Sequence, residues 1–206
     1  MGTAIYFDLD GTLLTFAEPY EEVVADVLAD YVTEPSEAVE TYFATFDEHF
    51  DALESDPYRA GMVAVCEHED IEADTDPDAL VDALREAECE RTQVSDDARA
   101  SLDALGEANA LGVLTDGVAD FQRAKLDQHD LLDHFETVIA SYDVGAHKPD
   151  ASMFDRAREA IDAEEYVMVG DSDADIEGAR AAGFTPVRVE RGEDVPDFWT
   201  TLRALA

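Results

Sequence analysis

Ile5-Tyr6-Phe7-Asp8-Leu9-Asp10-Gly11-Thr12 is the stretch on which the reading of this chain turns. Three consecutive apolar residues ending at an acid read as a buried strand, and Gly11 marks the loop that follows. Helical stripes come next. Val23, Val24, Val27, Leu28 and Tyr31 share one helical face, Tyr42, Phe43, Phe46 and Phe50 a second, and Leu80, Leu84 and Cys89 a third. Pro19, Pro35, Pro57 and Pro77 stand near the helix starts, where the missing N–H goes unused anyway. From about residue 95 helices and strands alternate. The pattern predicts helices over 98–105, 121–128, 151–163 (capped by Asp150) and 174–182. Strands are expected over 111–114, 138–140, 166–169 and 186–189. Trp199 and Leu202 are expected to pack a C-terminal helix onto the sheet.

Strands alternating with helices imply a parallel sheet covered on both faces. The fold class is therefore α/β: a Rossmann-like, doubly wound parallel sheet. It is formed by residues 1–14 and 93–206 and interrupted by an all-helical insertion, 15–92. No repeat and no low-complexity segment is visible.

In an open parallel sheet, ligands bind beyond the C-terminal ends of the strands. The residues there are Asp8 and Asp10 after the first strand, and Thr115, Asp116 and Gly117 after the second. Gly145, His147, Lys148 and Pro149 lie near the third, and Gly170, Asp171, Ser172, Asp173 and Asp175 follow the fourth. Carboxylates gathered on one rim repel one another unless a hard cation sits among them. Mg²⁺ suits such a site, since it takes few protein carboxylates and keeps room for water and phosphate oxygens. Thr115, the amides around Asp116 and Gly117, and Lys148 offer donors to an anion. Metal, anion site and free carboxylate together point to phosphoryl transfer.

Composition narrows the field. Fifty-one acidic residues against 13 basic ones give a formal charge of −38, which repels phosphate backbones and disfavours nucleic acid. The acids are spread along the chain at helical spacing, with a short cluster at 67–70, and read as a heavily solvated surface. Only two lysines, Lys125 and Lys148, accompany 11 arginines. That balance resembles proteins of salt-loving cells, where counterions screen self-repulsion. No stretch of 18 apolar residues predicts a membrane span, and the absence of a basic leader predicts a cytoplasmic protein. Cys66 and Cys89 are expected as buried thiols in the insertion, a mutual disulfide being the alternative. His49, His68, His129 and His134 show no transition-metal spacing, and His147 is a candidate for the site mouth beside Lys148. The strong charge favours a monomer or weak homodimer.

These motifs resemble the haloacid dehalogenase superfamily of hydrolases over the whole chain. Asp8-Leu9-Asp10-Gly11-Thr12 is similar to its first motif, Thr115 to its second, Lys148-Pro149 to its third, and Gly170-Asp171-Ser172 with Asp175 to its fourth. The run 178–183 is similar to the helix that follows the fourth motif, and the insertion is similar to the C1 type of cap. The resemblance implies a phosphatase acting on phosphoglycolate or another small phosphorylated metabolite. It implies Asp8 as nucleophile, Asp10 as general acid and base, and Thr115, Asp116, Gly117 and Lys148 as phosphate-holding groups. It also implies Mg²⁺ held by Asp8, the Asp10 carbonyl and Asp171, with Asp175 orienting the site, and a hinge over 14–20. Asp116 departs from the usual asparagine. Asp10 favours a phosphatase over a haloacid dehalogenase, whose halide leaving group needs no proton. Phosphonate-cleaving relatives use a cap lysine, and 15–92 contains none. A phosphomutase and a non-catalytic binding module remain as alternatives.

Overall fold

The computed structural model describes residues 2–32, 35–67, 71, 75–191 and 198–205. Of the acidic cluster 67–70 only Glu67 lies within them, and His68 lies outside. The chain divides into two compact units, 1–15 with 93–206 and 16–92.

The first unit is built on a five-stranded parallel sheet in the order β5-β4-β1-β6-β7. The strands are β1 (Thr3–Phe7), β4 (Ala110–Thr115), β5 (Thr137–Ala140), β6 (Glu165–Gly170) and β7 (Thr185–Arg188). Two-residue strands β2 (Thr15–Phe16) and β3 (Thr92–Gln93) form a separate ribbon, too short for any periodicity to announce. Strand β1 is central because it is apolar on both sides. Ile5 and Phe7 enter one core with Leu102, Leu111, Val113, Val169 and Trp199. Ala4 and Tyr6 enter the other with Ile139, Phe154, Met168 and Phe184. The period-two alternation thus feeds two cores from one strand. Burying Ile5 and Phe7 contributes roughly 1.5–3 kcal/mol each.

Helices α5 (Asp96–Gly106), α6 (Ala119–Gln128), α8 (Ala151–Ala160), α9 (Asp173–Ala182) and α10 (Phe198–Leu205) match the expected segments. Asp150 caps α8 as expected, its side chain accepting from the Ser152 amide, but the helix stops at Ala160 instead of 163. Ile161 turns extended there, and its carbonyl accepts from the Tyr166 hydroxyl. A four-residue helix, α7 (Ser141–Val144), was not anticipated. Trp199 and Leu202 are buried, as their spacing predicted.

The second unit holds α1 (Tyr20–Leu28), α2 (Pro35–Asp51), α3 (Pro57–Cys66) and α4 (Pro77–Arg91). Each of the four prolines flagged above opens one of these helices. Val23, Val24 and Leu28 are buried on α1, while Tyr31 lies beyond its end. On α2 only Tyr42 is fully buried among the stripe aromatics. Phe46 stacks on Tyr42 and Phe50 and meets Tyr58 of α3, so the stripe is packing between helices. The buried ladder on α4 is Leu80, Leu84 and Glu88, and this corrects the expectation for Cys89. Cys66 and Cys89 are both half-buried thiols, not fully buried and not bonded to each other. Among the described residues no helix is long and apolar enough to cross a membrane.

Candidate active site

The loops that leave β1, β4 and β6 carry the acids at the C-terminal edge of the sheet. After β1, Asp8 is held at the strand end by its own amide, which donates to the Val169 carbonyl at 2.8 Å. Gly11 follows with φ +86°, a backbone conformation that costs other residues energy. Its Cα also lies so close to Asp171 that a Cβ would stand 2.6 Å from that carboxylate. Thr12 completes the turn, its hydroxyl donating to Asp171 Oδ1 at 2.9 Å. After β6, Ser172 and Asp175 form a reciprocal capping box at the start of α9. Ser172 donates to Asp175 Oδ2 through both its amide and its hydroxyl. The cap therefore fixes the Asp175 carboxylate.

Asp8, Asp171 and Asp175 bring one carboxylate oxygen each within 4.8 Å of one another. Lys148, nearly buried and followed by a cis peptide bond to Pro149, reaches into this group. Its Nζ donates to Asp8 Oδ1 at 2.7 Å and to Asp175 Oδ1 at 2.6 Å. Burial pushes the Asp8 carboxyl up to about 7, with Asp175 and Asp10 adding to the rise and Lys148 opposing it. Burial likewise works against the Lys148 ammonium, but Asp8, Asp175 and Asp116 together hold it above its ordinary value.

This arrangement fits a hard divalent cation. Three carboxylates and one ammonium leave a formal excess of two negative charges. All the donors are oxygens, and the Asp8 carboxyl is raised by burial first, with Asp175 and Asp10 adding to it.

Asp10 points elsewhere. Lys125 Nζ lies 2.7 Å from each of its oxygens, and Gln122 Nε2 donates to Oδ2 at 2.9 Å. Gln122 also donates to Thr115 Oγ1 at 2.8 Å, so the Thr115 hydroxyl accepts there, while it donates to the Asp116 carbonyl at 3.5 Å. Lys125 and Gln122, both buried on α6, did not emerge from the sequence. The rarity of lysine was the available signal.

Asp116 does not turn its side chain toward a phosphate. Oδ1 accepts the Lys148 backbone N–H at 3.0 Å and lies 3.7 Å from His147 Nδ1. The carboxylate thus braces the Lys148 loop. Its carboxyl is pushed up by burial, against the pull of Lys148 and His147. The Gly117 amide donates to the buried Ser141 hydroxyl at 2.9 Å. His147 lies edge-on to Tyr142. Two further arginines secure the acidic loops. Arg191 donates to the carbonyls of Gly11 and Thr12, and Arg188 to the Asp171 carbonyl and the Asp173 carboxylate.

Comparison with known proteins adds the context. A family model described as haloacid dehalogenase-like hydrolase matches residues 3–183. A ribulose-1,5-bisphosphate 5-phosphatase of Halopiger xanaduensis is 30% identical over 94% of this chain and 87% of its own. A phosphoserine phosphatase of Thermus thermophilus is 46% identical over 86 residues, 40% of this chain, and the match spans 34% of that protein. Among solved structures, a 2-haloacid dehalogenase of Pseudomonas syringae pv. Tomato superposes with TM-score 0.71. It is 25% identical and covers 100% of this chain and 98% of its own. The fold is thus shared with dehalogenases, so the choice of chemistry rests on the site residues.

Proposed function

The chain belongs to the haloacid dehalogenase-like hydrolases, and from that premise we propose that it is a Mg²⁺-dependent phosphatase. Its substrate in this reading is a small phosphomonoester, and the reaction passes through an aspartyl-phosphate on Asp8. The observation that carries the reading is the pairing of two acids two residues apart with two different ammonium groups. Asp8 sits with Lys148 beside Asp171 and Asp175, while Asp10 sits with Lys125 and keeps about a third of its side chain exposed. A dehalogenase has no use for the second acid. The identity to curated phosphatases supports the same choice.

The steps follow from the positions. An Asp8 carboxylate oxygen attacks phosphorus, a bond to Asp8 forms, and the bond from phosphorus to the leaving oxygen breaks. Asp10 gives that oxygen its proton, so the product leaves as an alcohol. Water then attacks the phosphorus of the acyl phosphate. Asp10 takes the water's proton, and the bond to Asp8 breaks to release inorganic phosphate. Thr115 Oγ and Lys148 Nζ hold the phosphoryl oxygens and offset the charge that grows on them. Asp8 and Asp171 carboxylates with the Asp10 carbonyl would hold Mg²⁺, Asp175 orienting them. The ion supplies charge neutralisation between nucleophile and phosphoryl group.

In the same reading the inserted helical unit is a cap that selects the substrate, and 14–20 is its hinge. The excess of acid over base suits a monomeric cytoplasmic protein working in molar salt. The test is hydrolysis of p-nitrophenyl phosphate in molar KCl with Mg²⁺. Asp8→Asn is expected to lower kcat by at least about 10⁴-fold with an unchanged circular dichroism spectrum. Retained turnover would falsify the nucleophile assignment, and parent activity undiminished in chelator would remove the metal from the mechanism.

A further inference from the structure

We propose that Lys125 and Gln122, on one face of α6, are positioning residues that aim the Asp10 carboxyl at the leaving oxygen. The proposal rests on the phosphatase reading above. Its geometric basis is separate. Lys125 is one of only two lysines in the chain, and both are buried. A chain that places no lysine at its surface has not kept this one for solubility. Burying an ammonium is costly unless its partner is well placed. Here the partner meets it with both oxygens at 2.7 Å.

Gln122 turns an ion pair into an aimed one. Its single Nε2 donates to Asp10 Oδ2 and to Thr115 Oγ1, tying the acid to the hydroxyl that holds a phosphoryl oxygen. The spacing of three residues puts both side chains on one face of the helix. Asp10 is thereby gripped by α6 while about a third of its side chain stays open. An aspartate on a loop, held this way, loses the rotamer freedom that would otherwise misdirect its proton. Lys125 touches neither the phosphoryl group nor the nucleophile in this account. It acts through Asp10.

The consequence is selective. An alkyl leaving group departs poorly as an alkoxide and needs the proton. p-Nitrophenolate is a stable anion and does not. The experiment measures kcat and KM of the full chain in molar KCl with Mg²⁺, on p-nitrophenyl phosphate and on glycerol phosphate. Hydrolysis of the aspartyl-phosphate, where Asp10 acts as base, is common to both esters, so the split is read in kcat/KM, which reports transfer to Asp8. Lys125→Met is expected to lower kcat/KM about 100-fold on glycerol phosphate and less than about fivefold on the aryl ester. Lys125→Arg is expected to recover most of the loss, since the fork can still meet both oxygens. Gln122→Met gives the same split at about tenfold and carries the test if Lys125→Met does not fold. Equal losses on both esters, or full retention on the alkyl ester, overturn the proposal while leaving the phosphatase reading intact. Activity in Asp8→Asn, run alongside, overturns the phosphatase reading and this proposal with it.

Discussion

In the α/β unit the buried carboxylates of Asp8 and Asp175 share the ammonium of Lys148. In the helical unit the buried carboxylate of Glu88 accepts from the hydroxyl of Tyr20 at 2.6 Å. An ammonium neutralises and a phenol only solvates. The Tyr20 hydroxyl is accordingly driven well above its ordinary value, by burial first and by Glu88 next. The helical unit has three arginines, Arg59, Arg85 and Arg91, and no lysine. They pair with Asp78, with Asp82, and with Glu18 and Asp26, at more exposed positions. Among the described residues the buried cations are Lys125 and Lys148, both in the α/β unit. The arginines of the helical unit are 29–51% exposed at their side chains.

The most severe way to break this contrast is to remove the inner cation. Lys148→Met strands two buried carboxylates and is expected to cost about 3–5 kcal/mol in chelator, with loss of turnover. Urea denaturation with and without Mg²⁺ checks it. A variant as stable as the parent in chelator would mean that Lys148 does not balance Asp8 and Asp175.

Burial of both lysines has its own signature. In the native protein both lysines should be protected from an amine-acylating reagent. Lys125 and Lys148 should react at least about 100-fold more slowly than in the urea-unfolded chain, because each is reached only by opening the fold. Peptide mass mapping over time reads this directly. Fast labelling of Lys125 would place it at the surface and undo the comparison. The excess of acid over base predicts the next effect. Raising KCl from about 0.1 M to 2 M should lift Tm by at least about 5 °C, on the order of 2 kcal/mol, by screening repulsion among exposed carboxylates. A Tm indifferent to KCl would make the acidity irrelevant to folding.

The sheet and its helices could be read because their signals are local. Apolar runs end at acids or glycine, and Asp150 and Ser172 announce helix starts. Helix α3 was harder. Its buried face includes Gly61, which lies against the Tyr42 ring, and a glycine carries no hydrophobic mark. Cys89 looked like the inner residue of α4 because it is apolar, and the structure gives that position to Glu88. A buried acid is the case that composition patterns are built to miss. At the site, the residues nearest the acids in the strand-end loops were legible. The second layer was not: Lys125 lies 115 residues from Asp10, and Ser141 lies 24 from Gly117. Only the fold brings such pairs together. Asp116 shows the limit in another way. Its identity was plain, but whether its carboxylate met substrate or scaffold depended on a bond to the Lys148 amide.

Glu88→Gln is the mildest probe and the one that sharpens the contrast most. Glutamine keeps the shape of the side chain, and its Oε1 still accepts from Tyr20. What is lost is one charge that the phenol never neutralised. What is gained is an amide that must find acceptors of its own in a buried place. These two changes oppose each other, so stability is expected to move by less than about 1 kcal/mol in either direction. The Tyr20 hydroxyl should remain raised, since burial is the larger cause, but should titrate lower than in the parent once the adjacent charge is gone. Urea denaturation and ultraviolet titration of tyrosine measure the two effects. A loss comparable to that of Lys148→Met would show that the Glu88 charge matters to the fold as much as the Lys148 charge does, and the contrast between the two units would fall.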